Sequence, residues 1–156
     1  MVEPRVFGSV AELRAAVGEE LGPGDWLEVD QRRIDAFADA TGDHQWIHVD
    51  PERAAAGPFG TTIAHGYLTL SLLPALLPRL MRVEGVRMGI NYGLNRVRFP
   101  APVPAGSRLR ARARLMDVTE LPGPERAVQL TTAVTVEREG STKPVCAAES
   151  LSRFYL

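Results

Sequence analysis

Thiols are nearly absent: of 156 residues one is a cysteine, Cys146. An internal disulfide framework is therefore impossible, and so is a zinc site built from several thiolates. Neither sign of charge is in excess, with 18 basic against 19 acidic side chains. That balance speaks against a nucleic-acid or anionic-membrane partner, which calls for a basic field or patch. A long apolar run is also lacking. The longest, Tyr67 to Met81, contains Pro74, Pro78 and Arg79 and falls short of the ~20 residues needed to cross a bilayer. It reads as a buried helix. The opening residues, Met1 to Phe7, carry no basic stretch leading into an apolar one, so no signal peptide is expected and the chain reads as cytoplasmic. No repeat, low-complexity tract or Ser/Gly-rich linker divides residues 1–156, a length that suits a single domain.

What is present changes period along the chain. Ser9-Val10-Ala11-Glu12 has the form of a capping box, with Glu12 placed to reach back to the Ser9 amide. Val10, Leu13, Val17 and Leu21 then share a helical face that Gly22-Pro23-Gly24 ends. Trp26 to Val29 reads as a short strand. Asp30 suits an N-cap for a second helix carrying Ile34, Phe37, Ala38 and Thr41 on one side, and Gly42 suits its left-handed end. Asp50-Pro51 restarts a short helix that Gly57 stops. The apolar helix from about Ala64 to Met81 should bend at Pro74. From residue 85 onward the period falls to two, predicting strands at Val86–Tyr92, Asn95–Phe99, Arg108–Val118, Val128–Arg138 and Val145–Tyr155. In Ser107 to Leu115 four arginines alternate with Leu109, Ala111, Ala113 and Leu115, a half-buried strand pattern. Helices followed by antiparallel strands predict an α+β domain, with a curved sheet wrapped around the apolar helix.

All three histidines, His44, His48 and His65, fall within 22 residues, so proton transfer near neutral pH belongs there if anywhere. Three readings compete for Asp43 to Asp50. Asp43 and His48 could hold one water from two sides and move its protons, a contribution typically worth ~10²–10⁴ in rate. His44 and His48 could hold a metal with a carboxylate, although Gln45 stands where the helical zinc motif needs Glu. Or Asp43 merely caps a turn and His48 is a hydrogen-bonded core residue. Gly66, at the start of the apolar helix, could offer its N–H to a substrate carbonyl or serve only close packing. His65 is simplest as a capping or supporting residue. Thr69 and Ser71 sit in no nucleophile elbow. Cys146, in an apolar strand, is simplest as a small core residue.

In fixed order, Phe37-Ala-Asp-Ala-Thr-Gly-Asp43, Trp46-Ile-His48-Val-Asp50-Pro51, Gly60-Thr-Thr-Ile-Ala-His65-Gly66, Val97-Arg98-Phe99 and Pro102 to Gly106 resemble the MaoC-like family. These are the (R)-specific enoyl-thioester hydratases of the hot-dog fold. The fuller strings Gly42 to Ala54 and Asn91 to Phe99 resemble its single-hot-dog branch of NodN-like proteins and mycobacterial 3-hydroxyacyl-thioester dehydratases. The likeness runs over about residues 25–118. It implies Asp43 and His48 as the catalytic pair and Gly66 N–H as the donor to the thioester carbonyl. The implied reaction is reversible syn hydration of a trans-2-enoyl-CoA to an (R)-3-hydroxyacyl-CoA. It implies no metal or redox cofactor, the CoA or acyl-carrier thioester being the substrate, and a homodimer with a tunnel formed partly across the interface. Some relatives carry a Ser on the central helix where Pro74 falls here, with Ser71 a turn earlier. Other hot-dog proteins hydrolyse acyl-thioesters or only bind them, so those classes stay open, as do the roles of Ser71, Asn95 and His65.

Overall fold

The computed structural model describes all 156 residues. It begins with a strand, β1 (Arg5–Phe7), and a helix, α1 (Val10–Ala15). Ser9 caps α1 by accepting from Glu12 N–H at 3.2 Å, but Glu12 reaches back to Gly8 N–H at 2.7 Å rather than to Ser9. The helix is shorter than its periodicity predicts. Gly18 turns at φ 90° and donates to Leu115 O, and the chain leaves as β2 (Glu20–Leu21) to pair with the main sheet. Val17 is consequently exposed, while Leu21 is buried from a strand.

After β3 (Leu27–Val29), Asp30 caps α2 (Gln31–Thr41) through Arg33 N–H at 2.8 Å. Ile34 and Ala38 are buried and Phe37 packs on the core. Gly42, at φ 80°, closes the helix in the left-handed conformation that a side chain would strain. A single turn, α3 (Trp46–Val49), leads into α4 (Pro51–Ala55), capped by Asp50 with proline in its first turn.

The apolar segment is not one long helix, as the sequence predicts, but three short pieces. They are α5 (Gly66–Ser71), α6 (Leu73–Leu76) and a 3₁₀ turn over Leu77–Arg79. The reason is proline at both joints. Pro74 has no N–H to give the preceding turn, so the helix breaks at Leu72 and restarts around the ring, and Pro78 repeats the break a turn later. Leu68, Leu72, Leu73 and Leu76 are nonetheless buried together, so the broken segment still fills the core.

Strand β4 (Met81–Val83) pairs in parallel with β1 as a separate two-stranded sheet. The main sheet comprises β5 (Met88–Arg98), β6 (Ser107–Leu121), β7 (Ala127–Arg138) and β8 (Cys146–Tyr155). Its order is β2-β6-β7-β8-β5, with β3 also on β6, and every pairing is antiparallel. The two strands expected around Gly93-Leu94 are one strand whose register slips twice, between Asn91 and Gly93 and between Leu94 and Val97. Such bulges bend a strand and increase its twist. On β6 the alternation is as read: Leu109, Ala111, Ala113 and Leu115 are buried on the helix side. The arginine face is occupied by its own ion pairs. Arg108 meets Glu139 at 2.9 Å, Arg110 binds Glu137, Arg112 lies 3.8 Å from Glu20, and Trp26 stacks beneath Arg110.

Candidate active site

Residues 43–50 bridge α2 and α4, and the chemistry-bearing groups lie there and in the segment Thr62 to Gly66. The two stretches run side by side. Ile63 N–H donates to Ile47 O at 2.9 Å, and the Gln31 side chain ties His48 O, at 2.8 Å, to the hydroxyl of Thr62. Ala64 N–H donates to Val103 O and Ala105 N–H to Thr62 O, fixing the segment to the turn before β6. Trp46 lies under Arg53 and against Gly57, which anchors the turn that carries His48.

His48 is buried, and its Nδ1 lies 2.7 Å from Ile63 O. A carbonyl oxygen only accepts, so Nδ1 carries a proton, and in the neutral tautomer this selects Nε2 is the lone pair. His65, also buried, stacks on His48 with ring centroids 3.8 Å apart and planes at 22°. Its Nε2 lies 3.0 Å from the main-chain oxygen of Asp43 and is protonated for the same reason. Asp43 itself is exposed. One ligand atom each of Asp43, His48 and His65 lie within 4.8 Å of one another. A carboxylate and an imidazole at that separation can share a water molecule, one accepting from it while the other removes a proton.

The structure thus brings Asp43 and His48 together. The His44–His48 pair it does not: His44 turns outward to Asp39 at 3.0 Å, and that hydrogen bond raises the exposed ring's pKa. The turn-capping role also has a counterpart, since Gln45 N–H points to Asp43 Oδ1, at a long 3.4 Å. The histidines that do meet form a poor chelate. Metal-binding lone pairs lie in the ring plane, and two rings stacked with their planes at only 22° hold those lone pairs in nearly parallel planes rather than converging on one ion.

Gly66 opens α5, and neither its N–H nor that of Tyr67 goes to a backbone carbonyl. A Cβ here would come within 2.8 Å of the Phe99 ring. Both possibilities read for this glycine, a free donor and a close packing contact, are present together. Farther along the same helix a cleft of about 350 Å³ opens between α5–α6 and strands β5 and β8. Leu70, Leu73, Leu77 and Leu94 supply its apolar walls, and Ser71, Asn91, Ser150 and Ser152 its polar groups. Leu70 lies four residues from Gly66, about 6 Å along a helix axis, and helical side chains lean back toward the N-terminus. None of Asp43, His48, His65 and Gly66 lines this cleft; α5 links the two places, with Gly66 at its start and Leu70 and Ser71 on the cleft wall. Ser71 faces it at the broken end of α5, whereas Asn95 is exposed on β5 outside it. Asn91, Ser150 and Ser152 escape notice in the sequence because strand register alone puts them opposite the helix. Cys146 is buried, which pushes its thiol up to about 11, and takes no part.

Residues 12–138 match the family described as the MaoC like domain. The 3-hydroxyacyl-thioester dehydratase Z of Mycobacterium tuberculosis is 61% identical over 150 residues, covering 96% of this chain and 98% of that protein. Nodulation protein N of Rhizobium leguminosarum bv. viciae is 50% identical over 142 residues, covering 90% of this chain and 87% of that one. Among solved structures, the R-hydratase PhaJ1 of Pseudomonas aeruginosa matches with a TM-score of 0.68 at 26% identity, over 94% of this chain and 88% of that one.

Proposed function

The chain belongs to the MaoC-like family, and from that premise we propose that it is a hydro-lyase acting on enoyl-thioesters. It adds water reversibly to a trans-2-enoyl-CoA to give an (R)-3-hydroxyacyl-CoA, and in reverse dehydrates the 3-hydroxyacyl-thioester. The observation that carries the assignment is the meeting of Asp43 with a His48 whose free nitrogen is fixed by Ile63 O.

In the forward direction a water molecule lies between the two groups. His48 Nε2 removes one proton while the Asp43 carboxylate accepts a hydrogen bond from the other. The oxygen bonds to C3, the double-bond electrons move to C2 and the thioester oxygen, and Gly66 N–H donates to that oxygen as it becomes an enolate. A proton then returns to C2 from the Asp43–His48 pair. Because both groups flank one water, hydroxyl and proton arrive on the same face. The addition is not a net oxidation or reduction, so it requires no redox cofactor. The acyl chain follows α5 into the cleft past Leu70, and the thioester is borne by CoA or an acyl carrier. No helix is long and apolar enough to cross a membrane, and we place the enzyme in the cytoplasm with its substrates.

Crotonyl-CoA tests this assignment. The wild-type protein should consume the enoyl-thioester absorbance without releasing thiol, and Asp43→Asn and His48→Gln should each lower kcat by at least ~10². Thiol release would make the protein a thioester hydrolase. Binding without turnover would make it a carrier.

A further inference from the structure

We propose that His65 is a positioning residue that holds both reacting groups of the hydration site at once, an inference that rests on the reading above. Asp43 sits in an exposed stretch, residues 41–45, and is otherwise weakly held. Its N–H reaches Thr41 Oγ1 at 3.4 Å and its carboxylate meets Gln45 N–H at 3.4 Å, both long. The one well-formed hydrogen bond at Asp43 is the 3.0 Å donation from His65 Nε2 to its main-chain oxygen. The same ring forms the floor on which His48 stacks, and Phe37 braces it at 5.0 Å between centroids. In sequence His65 directly precedes Gly66, so one residue is tied to the base, to the main chain that bears the carboxylate, and to the amide donor.

Packing alone does not explain an imidazole here. His65 is 3% exposed, its side chain makes no capping hydrogen bond to α5, and its Nδ1 is buried with no hydrogen-bond partner. A buried unpartnered nitrogen is unfavourable, and an apolar ring of similar size would avoid it. The group retained at that cost is the Nε2–H donor, the atom that reaches Asp43.

His65→Phe keeps a stacking ring and removes the donor, His65→Gln keeps a donor near the Nε2 position, and His65→Asn is too short to reach Asp43. The experiment measures kcat and KM for crotonyl-CoA in these variants, with thermal unfolding as the check on folding. His65→Phe is measured on both the wild-type and the Asp43→Asn backgrounds. We expect His65→Phe to lower kcat about tenfold or more while KM stays within about twofold, since misplacement of a reacting group acts on the chemical step. On the Asp43→Asn background the same substitution should cost nothing further, because its effect passes through that carboxylate. His65→Gln should retain about tenfold more activity than His65→Asn, a comparison that decides the matter should His65→Phe fail to fold. A folded His65→Phe with unchanged kcat, an undiminished loss on the Asp43→Asn background, or equal Gln and Asn variants would overturn the proposal. Thiol release or no turnover of crotonyl-CoA by the wild-type protein would instead overturn the hydration reading itself, so the two failures are distinct.

Discussion

At the scale of single residues, backbone carbonyls do much of the chemical preparation. Ile63 O fixes which nitrogen of His48 is free, and Asp43 O does the same for His65. Neither assignment is visible in the sequence, because the partners stand 15 and 22 residues away. The sequence does single out Asp43 and His48 as a pair in a Gly- and Pro-bounded segment, but leaves a turn cap and a metal site as rivals. The outward rotation of His44 takes it out of the metal pair, whereas the turn cap persists as the long contact from Gln45 N–H to Asp43 Oδ1. Gly66 is a case where two explanations coexist, and they are separable. Gly66→Ala puts a methyl group into the Phe99 ring, so overpacking should lower stability by about 1–3 kcal/mol and disturb the amide's aim. Trimming the ring with Phe99→Leu in the same chain should recover stability and much of kcat, because alanine retains the N–H. Denaturant unfolding and crotonyl-CoA kinetics on the single and double variants check this. A fully active Gly66→Ala would show that the close contact does not constrain the site.

At the scale of elements, legibility follows local chemistry. Caps at Ser9, Asp30 and Asp50 and the turn at Gly42 are legible because each acts over three or four residues. The period-two stretches of β6, β7 and β8 are legible because one face of each is buried against the helices. Lengths were harder. The first helix stops early because β2 finds a partner far along the chain in β6, and α5–α6 breaks twice because two prolines deny it hydrogen bonds. The least expected element is β5, an edge strand of 11 residues that is almost wholly exposed, including Ile90, Tyr92 and Leu94. An exposed apolar edge of that length invites pairing. Two copies related by a twofold axis would join β5 to itself, necessarily antiparallel. Sedimentation should therefore give twice the 17.0 kDa chain mass, and Ile90→Lys with Leu94→Lys should shift it toward one chain. A wild-type monomer at micromolar concentration would contradict the homodimer.

At the scale of the whole molecule, the fold brings a loop before the sheet to the start of a helix whose far end walls a strand-lined cleft. The α2–α4 region supplies Asp43 and His48, the bridge of Ile63 to Pro104 docks the next segment on the turn before β6, and α5 runs from Gly66 to Leu70 and Ser71 on the cleft wall. The α+β class was legible from the change of period alone. The cleft was not, since it depends on Ser150 and Ser152 lining it together with Ser71, a matter of register that periodicity leaves open. In the mechanism proposed above, one water gripped by Asp43 and His48 reacts on a single face of the double bond. Hydration of crotonyl-CoA in deuterated water, with the product's configuration at C2 and C3 read by NMR, tests that most directly. The expected product is (R)-3-hydroxybutyryl-CoA with deuterium and hydroxyl added syn; anti addition, or the (S) product, would rule the mechanism out.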